Sequence, residues 1–256
     1  MRSFVAFFKK EAFEQLRSGK ITILGILFVL LGIMNPAIAK LTPWLLEMLS
    51  DSLAESGMTV TTVTVSAMDS WVQFFKNMPL GLIAFAVIES SIFTKEYASG
   101  TLTLSLTKGL SRYKVVVSKA VALILLWSFG YLLTAGITYG YNAYFWDNSV
   151  AKNLSLSLAS WWLFGIFVIA LITLFSTVAI SNTGVLIGTG GIVLASYLLA
   201  LLPKIDRFMP TFLTNGNALI YGTESANTYL PSLLIATACS LVSFVISIPI
   251  LNKKQL

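Results

Sequence analysis

The chain has 256 residues, 56% of them hydrophobic and only 11% charged, with a formal net charge of +6. Soluble domains carry roughly 25% charged residues, so this composition excludes a water-covered globule and assigns the chain to the membrane class. With no histidine and one cysteine, Cys239, it lacks the usual general base, the usual zinc ligand and any intrachain disulfide.

The opening 20 residues, MRSFVAFFKKEAFEQLRSGK, place Val5, Phe8, Ala12 and Leu16 on one helical face. Lys9, Lys10, Glu14 and Arg17 lie largely away from it, which predicts an interfacial amphipathic helix over 1–20. Two roles fit such a helix: a simple anchor, or an elbow that braces a moving bundle. A cleaved signal peptide is not expected, because the first apolar run is long and the leader is itself patterned.

Six predominantly apolar segments follow, at 21–39, 78–94, 115–139, 159–180, 185–202 and 231–251, each near the length of a spanning helix. Asn35-Pro36 interrupts the first near its outer end, where proline removes a backbone donor and predicts a kink or a helix end. Residues 40–77 form a large outer loop. It reads as a surface helix from Pro43, an extended stretch TVTTVTVS, and an amphipathic helix Met68–Asn77 leading into span two. Glu89 stands inside span two, where charge is expensive, which marks it as a gating or coupling candidate. Protonation, or snorkelling toward Lys95, is the plainer account.

Gly136 and Gly140 in span three, and Gly184, Gly188 and Gly191 in span five, leave side-chain-poor grooves for helix packing. The partner is either a neighbouring helix or a second copy of the chain. Thr237, Ser240, Ser243 and Ser247 line one face of span six, and Thr173, Ser176 and Thr177 cluster in span four. These hydroxyls predict hydrogen bonds between or within helices, or else a weakly polar path.

An even number of spans puts both termini on one side, which carries twelve basic residues. The other side has five basic residues and seven acids, so the terminal side is expected to be cytoplasmic. The positive charge is then a topology signal facing anionic membrane lipids, with no role for nucleic acid. Trp71, Tyr139, Tyr141, Tyr144, Trp146, Trp161 and Trp162 fall near the outer ends of spans, where an interfacial aromatic belt is expected.

No GxxxxGK[ST] phosphate loop, no metal-ligand set and no catalytic constellation occurs. On the cytoplasmic side the candidate docking surfaces are the leader helix, the loop 95–114 and the tail NKKQL. Only the loop is both long and held by a span at each end. A partner pushing there would move spans two and three.

That loop, KEYASGTLTLSLTKGLSRYKVVVSK through Lys119, resembles the inner loop of ABC-2 type permeases. There an acidic residue, Gly-Thr, a leucine-rich stretch, Ser-Arg and a closing Lys recur, matching Glu96, Gly100, Thr101, Leu102–Leu106, Ser111, Arg112 and Lys119. The family often has proline before Ser-Arg, where this chain has Gly109-Leu110. The opening FFKKEAFEQLRSGK, followed by MNPAIAKLTPWLLEML, also resembles the start of a small-permease branch.

The resemblance implies an all-α integral membrane protein with six transmembrane helices, an N-terminal elbow helix and a short coupling helix between helices two and three. It implies the permease subunit of an ATP-driven exporter in the bacterial cytoplasmic membrane. A second permease copy or paralogue and two P-loop ABC ATPase subunits would complete it. ATP and Mg²⁺ would sit in the ATPases, and this chain would hold no cofactor and perform no catalysis. Glu96, Gly100, Thr101, Leu102, Leu104, Leu106, Gly109, Ser111 and Arg112 are the expected ATPase-docking residues.

The alternation over 101–107 by itself reads as a strand. An unpaired strand at a membrane surface would leave its backbone unsatisfied, so the helix is expected. The largely apolar interior, with Thr237, Ser240, Ser243 and Ser247 as possible path-lining residues, suits an amphipathic or hydrophobic substrate such as an antimicrobial peptide, drug or lipid. The competing classes are an ion-coupled secondary transporter built from two three-span halves, and a non-transporting immunity or sensor subunit. An intramembrane enzyme lacks plausible catalytic groups.

Overall fold

The computed structural model of the protein describes residues 2–48 and 64–254. Asp51, Glu55 and most of the expected extended stretch TVTTVTVS lie outside these residues. All regular structure among the described residues is helical, and six helices are long and apolar enough to cross a membrane.

The leader is α1 (Arg2–Arg17), followed by α2 (Lys20–Met48), the first span. Span two is α3 (Ala67–Glu89), continued after a break at Ser90 by α4 (Ser91–Ala98). Then come the short α5 (Thr101–Thr107), α6 (Arg112–Phe145), α7 (Leu154–Val178) and α8 (Asn182–Leu199). After α9 (Gly216–Tyr221), the chain closes with α10 (Leu230–Lys253). The spans alternate in direction, so α1, α4, α5 and the end of α10 share one end of the bundle, called here the terminal end.

The two prolines of the first span do not end it. Pro36 and Pro43 both lie inside α2, and the surface helix expected from Pro43 is, as far as Met48, a continuation of that span. Proline at 36 withdraws the donor that the Gly32 carbonyl would otherwise receive, and the Thr138 hydroxyl replaces it at 3.1 Å. Asn35, fully buried, donates to Thr138 Oγ1 at 3.1 Å and accepts from Asn77 Nδ2 at 2.9 Å. Spans one, two and three are thereby hydrogen-bonded through one amide.

The helix expected at Met68–Asn77 leads into span two as expected, in one unbroken helix. Its start is fixed by a capping box, in which Ser66 Oγ accepts from Met68 N at 3.2 Å and Asp69 Oδ2 accepts from Ser66 N at 2.8 Å.

Span four is the axis of the bundle. Of the apolar window of α7, 67% is buried, against 17% for α8 and 22% for α10. An aromatic column fills the space beside it. The ring of Trp127 meets Phe28 at 5.9 Å, Phe85 at 5.7 Å and Tyr131 at 5.5 Å, and Tyr131 meets Phe74 at 5.7 Å. These rings fit because glycines face them: Gly130 faces Phe28 and Gly165 faces Trp127.

Trp71 and Trp161 belong to the core and not to an interfacial belt. Both are buried, with Trp71 Nε1 donating to Asn148 Oδ1 at 3.0 Å and Trp161 Nε1 donating to the Thr214 carbonyl at 2.9 Å. Tyr139, Tyr141 and Tyr144 are exposed. Exposed Leu30, Ile83, Leu132, Ile187, Leu234 and Val245 lie on the spans, as a hydrocarbon surround requires.

Candidate functional site

The turn between spans two and three is built by two glycines. Gly100 (φ 67°) lets the chain reverse between α4 and α5, and Gly109 (φ 85°) ends the two-turn α5 before α6 begins. Within α5 the leucines sort by helical period. Leu102 is buried and Leu106 packs on the core one turn later, while Leu104 is 62% exposed and Thr101, Thr103 and Thr107 face outward. The strand-like alternation therefore resolves into a short helix with a leucine foot and an exposed leucine-threonine surface.

Between α1, α4 and α6, the helices around this turn, lies a buried knot of charge. Lys119 is 1% exposed and donates to Glu11 Oε2 at 2.8 Å and to the Ile92 carbonyl at 2.8 Å. Its ammonium also lies 3.0 Å from Glu96 Oε2, an ion pair without hydrogen-bond geometry. Lys10 donates to the other oxygen of Glu96. Lys95 pairs with Glu14 at 3.4 Å. Glu89, fully buried, accepts from Gln15 Nε2 at 2.6 Å and sits 3.4 Å from Lys20 Nζ. Its expected partner Lys95 is engaged elsewhere.

Beside the apolar face expected to meet the membrane, the leader helix has a second face, packed into the bundle. Phe7, Glu11 and Gln15, at four-residue spacing, form its buried face, and Val5, Phe13 and Leu16 are exposed. In lipid this is the favourable way round: Glu11 Oε2 and Gln15 Nε2 find hydrogen-bond partners inside the bundle, and the apolar groups turn toward hydrocarbon. Burial raises the pKa of the Glu11 carboxyl, reinforced by Glu96 and opposed by Lys119. Burial works against Glu14 too, but Lys10, Lys119 and Lys95 hold it below its ordinary value. Lys10 is raised despite burial, by its hydrogen bond to Glu96 and the charges of Glu96, Glu11 and Glu14.

Glu11, Glu14 and Glu96 each bring an oxygen within 4.8 Å of the others, a spacing that a cation could use. Lys10, Lys95 and Lys119 already supply the positive charge there.

Of the expected docking residues, Glu96 is 3% exposed and committed to this knot. Arg112 is committed as well: its Nη1 donates to the carbonyls of Leu251, Asn252 and Lys254 at the end of α10. Thr101, Leu104 and Gly109 are the exposed members of the set, while Gly100, Leu106 and Ser111 are half-buried and Leu102 is covered.

Sequence reasoning passed over Lys119 as a charge inside a span, Glu11 as its partner, and Gln15 and Lys20 as the partners of Glu89. One signal was available. Lys119 interrupts the apolar run VVVSKAVALILL, and Phe7, Glu11 and Gln15 form a polar-ended stripe at helical spacing.

A model of the ABC-2 family transporter proteins matches residues 5–250, nearly the whole chain. The chain belongs to the ABC-2 family. No curated protein and no solved structure gives a match. With six apolar spans, this ABC-2 protein is a multi-pass transmembrane subunit of an ABC transporter, and family membership implies association with ABC ATPase partners.

In this ABC-2 subunit the other candidate residues are dispersed. Gly188 packs against the Phe175 ring of α7, and Gly184 faces Ala179 and Ser181 in the connection between α7 and α8. Gly136, Gly140 and Gly191 meet nothing within 4 Å.

On α10, Thr237 is exposed, and Ser240, Ser243 and Ser247 are buried. The hydroxyls of Thr237, Ser240 and Ser247 bond back to carbonyls of their own helix at 2.7 Å. None of the four lines the largely apolar cleft of about 260 Å³ between α3, α7 and α8, whose walls include Pro79, Leu82, Phe164, Thr189 and Tyr197.

Proposed function

We propose that the protein is the permease subunit of an ATP-driven exporter in a bacterial cytoplasmic membrane, with both termini in the cytoplasm. Two separate P-loop ATPases bind the ATP and Mg²⁺, and a second permease copy or a paralogue completes the complex. The observation that carries this reading is α5: a two-turn helix with Leu104 and three threonines outward, held on the core by Leu102 and joined through Gly100 to α4, whose Glu96 is fixed in the knot around Lys119. A helix fixed on one side and bare on the other can pass a push into the bundle.

ATP-driven closure of the ATPases would displace α5 and tilt the spans attached to it. The excess of basic residues at the terminal end supports its cytoplasmic placement. The apolar cleft between α3, α7 and α8 supports a hydrophobic or amphipathic substrate.

The test is co-purification of the full chain with candidate P-loop ATPases, followed by ATP hydrolysis in proteoliposomes. A stable complex whose hydrolysis responds to the permease is expected. Absence of any bound ATPase, or hydrolysis indifferent to the exposed face of α5, rejects the reading.

A further inference from the structure

Two cations close the ends of two spans at the terminal end. Arg112, the first residue of α6, reaches the last carbonyls of α10, including Asn252 at 3.0 Å and Lys254 at 2.8 Å. Lys254 follows α10 directly and sends its Nζ to the carbonyls of Thr177 (3.1 Å) and Ala179 (2.8 Å), where α7 ends. The same ammonium lies 4.1 Å from the centre of the Tyr97 ring, and the Tyr97 hydroxyl donates to the Ser176 carbonyl at 3.0 Å.

Terminal helix carbonyls have no partner within their own helix, and the C-terminal end of the helix dipole attracts positive charge. Each cation therefore satisfies acceptors that would otherwise need water. Together the contacts form a ring: α4 to α7 through Tyr97, α7 to the chain end through Lys254, and the chain end to α6 through Arg112. The helix α5 hangs between the two ends of that ring, between Tyr97 and Arg112.

We infer that Arg112 and Lys254 form a latch that fastens the turns flanking α5 to the ends of α7 and α10. A displacement of α5 then moves four spans together: α3 and α6 through the chain, α7 and α10 through the latch. This inference rests on the contacts alone and holds whether or not an ATPase docks on α5, so its test needs no partner.

The test uses the full chain in lipid nanodiscs, with Cys239→Ser and spin labels at exposed positions introduced by Leu104→Cys on α5 and Leu241→Cys on α10. Double electron–electron resonance reads the distance between them. The latched chain is expected to give one narrow distribution. Lys254→Met and Arg112→Gln should each add a displaced population, a rise of roughly five- to thirtyfold in the detached fraction, the factor that a one- or two-kcal/mol contact controls.

Combining the two substitutions should add no more than either alone, because both open the same latch. Lys254→Arg, which keeps a donor cation, should restore the narrow distribution, and Lys253→Met, which removes the neighbouring exposed charge, should leave it unchanged. An unaltered distribution in Lys254→Met overturns the inference, as does equal broadening by Lys253→Met. Should Arg112→Gln fail to fold, Lys254→Met and Lys254→Arg decide the matter between them.

Discussion

Lys119 of α6 and Glu11 of the leader helix meet at 2.8 Å, 108 positions apart in the chain and both out of water. Removing one partner from a buried pair leaves an uncompensated charge and costs about 3–5 kcal/mol. Lys119→Met is expected to lower the melting temperature strongly, measured by thermal unfolding in detergent. Adding Glu11→Gln should recover at least part of the loss, since Glu96 retains Lys10 as its cation. An additive double variant would show that the two side chains act independently.

Asn35 joins three spans through one side chain. Asn35→Leu leaves the Asn77 amide and the Thr138 hydroxyl short of a partner, and interhelical hydrogen bonds in membranes contribute about 0.6–2 kcal/mol. A loss in that range, read by thermal or denaturant unfolding, is expected. A loss near zero would indicate that the neighbours find other partners.

Acid and base should affect attachment of the leader in opposite ways at two neighbouring carboxyls. Glu14 sits below its ordinary value of 4.5, so its stabilising ionised form is fully present above that pH and is lost as pH falls through its own lower value. Glu11 is raised above 4.5, so its contribution is complete below that pH and declines as pH rises toward the raised value. Unfolding measured across pH should lose its acid-side decline in Glu14→Gln. In Glu11→Gln it should lose the decline on the other side.

Leu104 offers the cleanest separation of docking from folding. Its side chain is exposed, so Leu104→Asp should leave the melting temperature unchanged. Where a bound ATPase covers it, the same substitution should weaken the complex at least about tenfold, as loss of a central interface residue does. Glu96→Gln is a poor probe of docking by contrast, because it disturbs the buried knot first.

Much of the fold was legible because lipid leaves few choices: long apolar runs must be helices, and the six runs became six spans. The helix α5 was legible from the family resemblance and from the backbone that an unpaired strand would leave unsatisfied, against a Thr-Leu alternation that points to a strand until Leu102 and Leu106 are seen to share a face. The roles of Glu96 and Arg112 were not legible. Their partners, Lys119 and the carbonyls of residues 251–254, are distant in sequence, and a carbonyl carries no sequence signal at all. Of the kink or helix end expected at Pro36, the helix does not end there, and the donor that replaces the missing N–H comes from Thr138 on another span.

Four large rings sit where a facing residue has no side chain: Phe28 on Gly130, Trp127 on Gly165, Phe175 on Gly188 and Phe75 on Gly216. A Cβ at Gly165 would collide with the Trp127 ring, whereas one at Gly136 would meet nothing. Each ring and its glycine are therefore expected to be inherited together. Among homologous sequences a smaller residue at 127 should accompany any residue larger than glycine at 165, while position 136 drifts freely. Such paired substitutions would record the distance between two spans in a form readable from sequence alone.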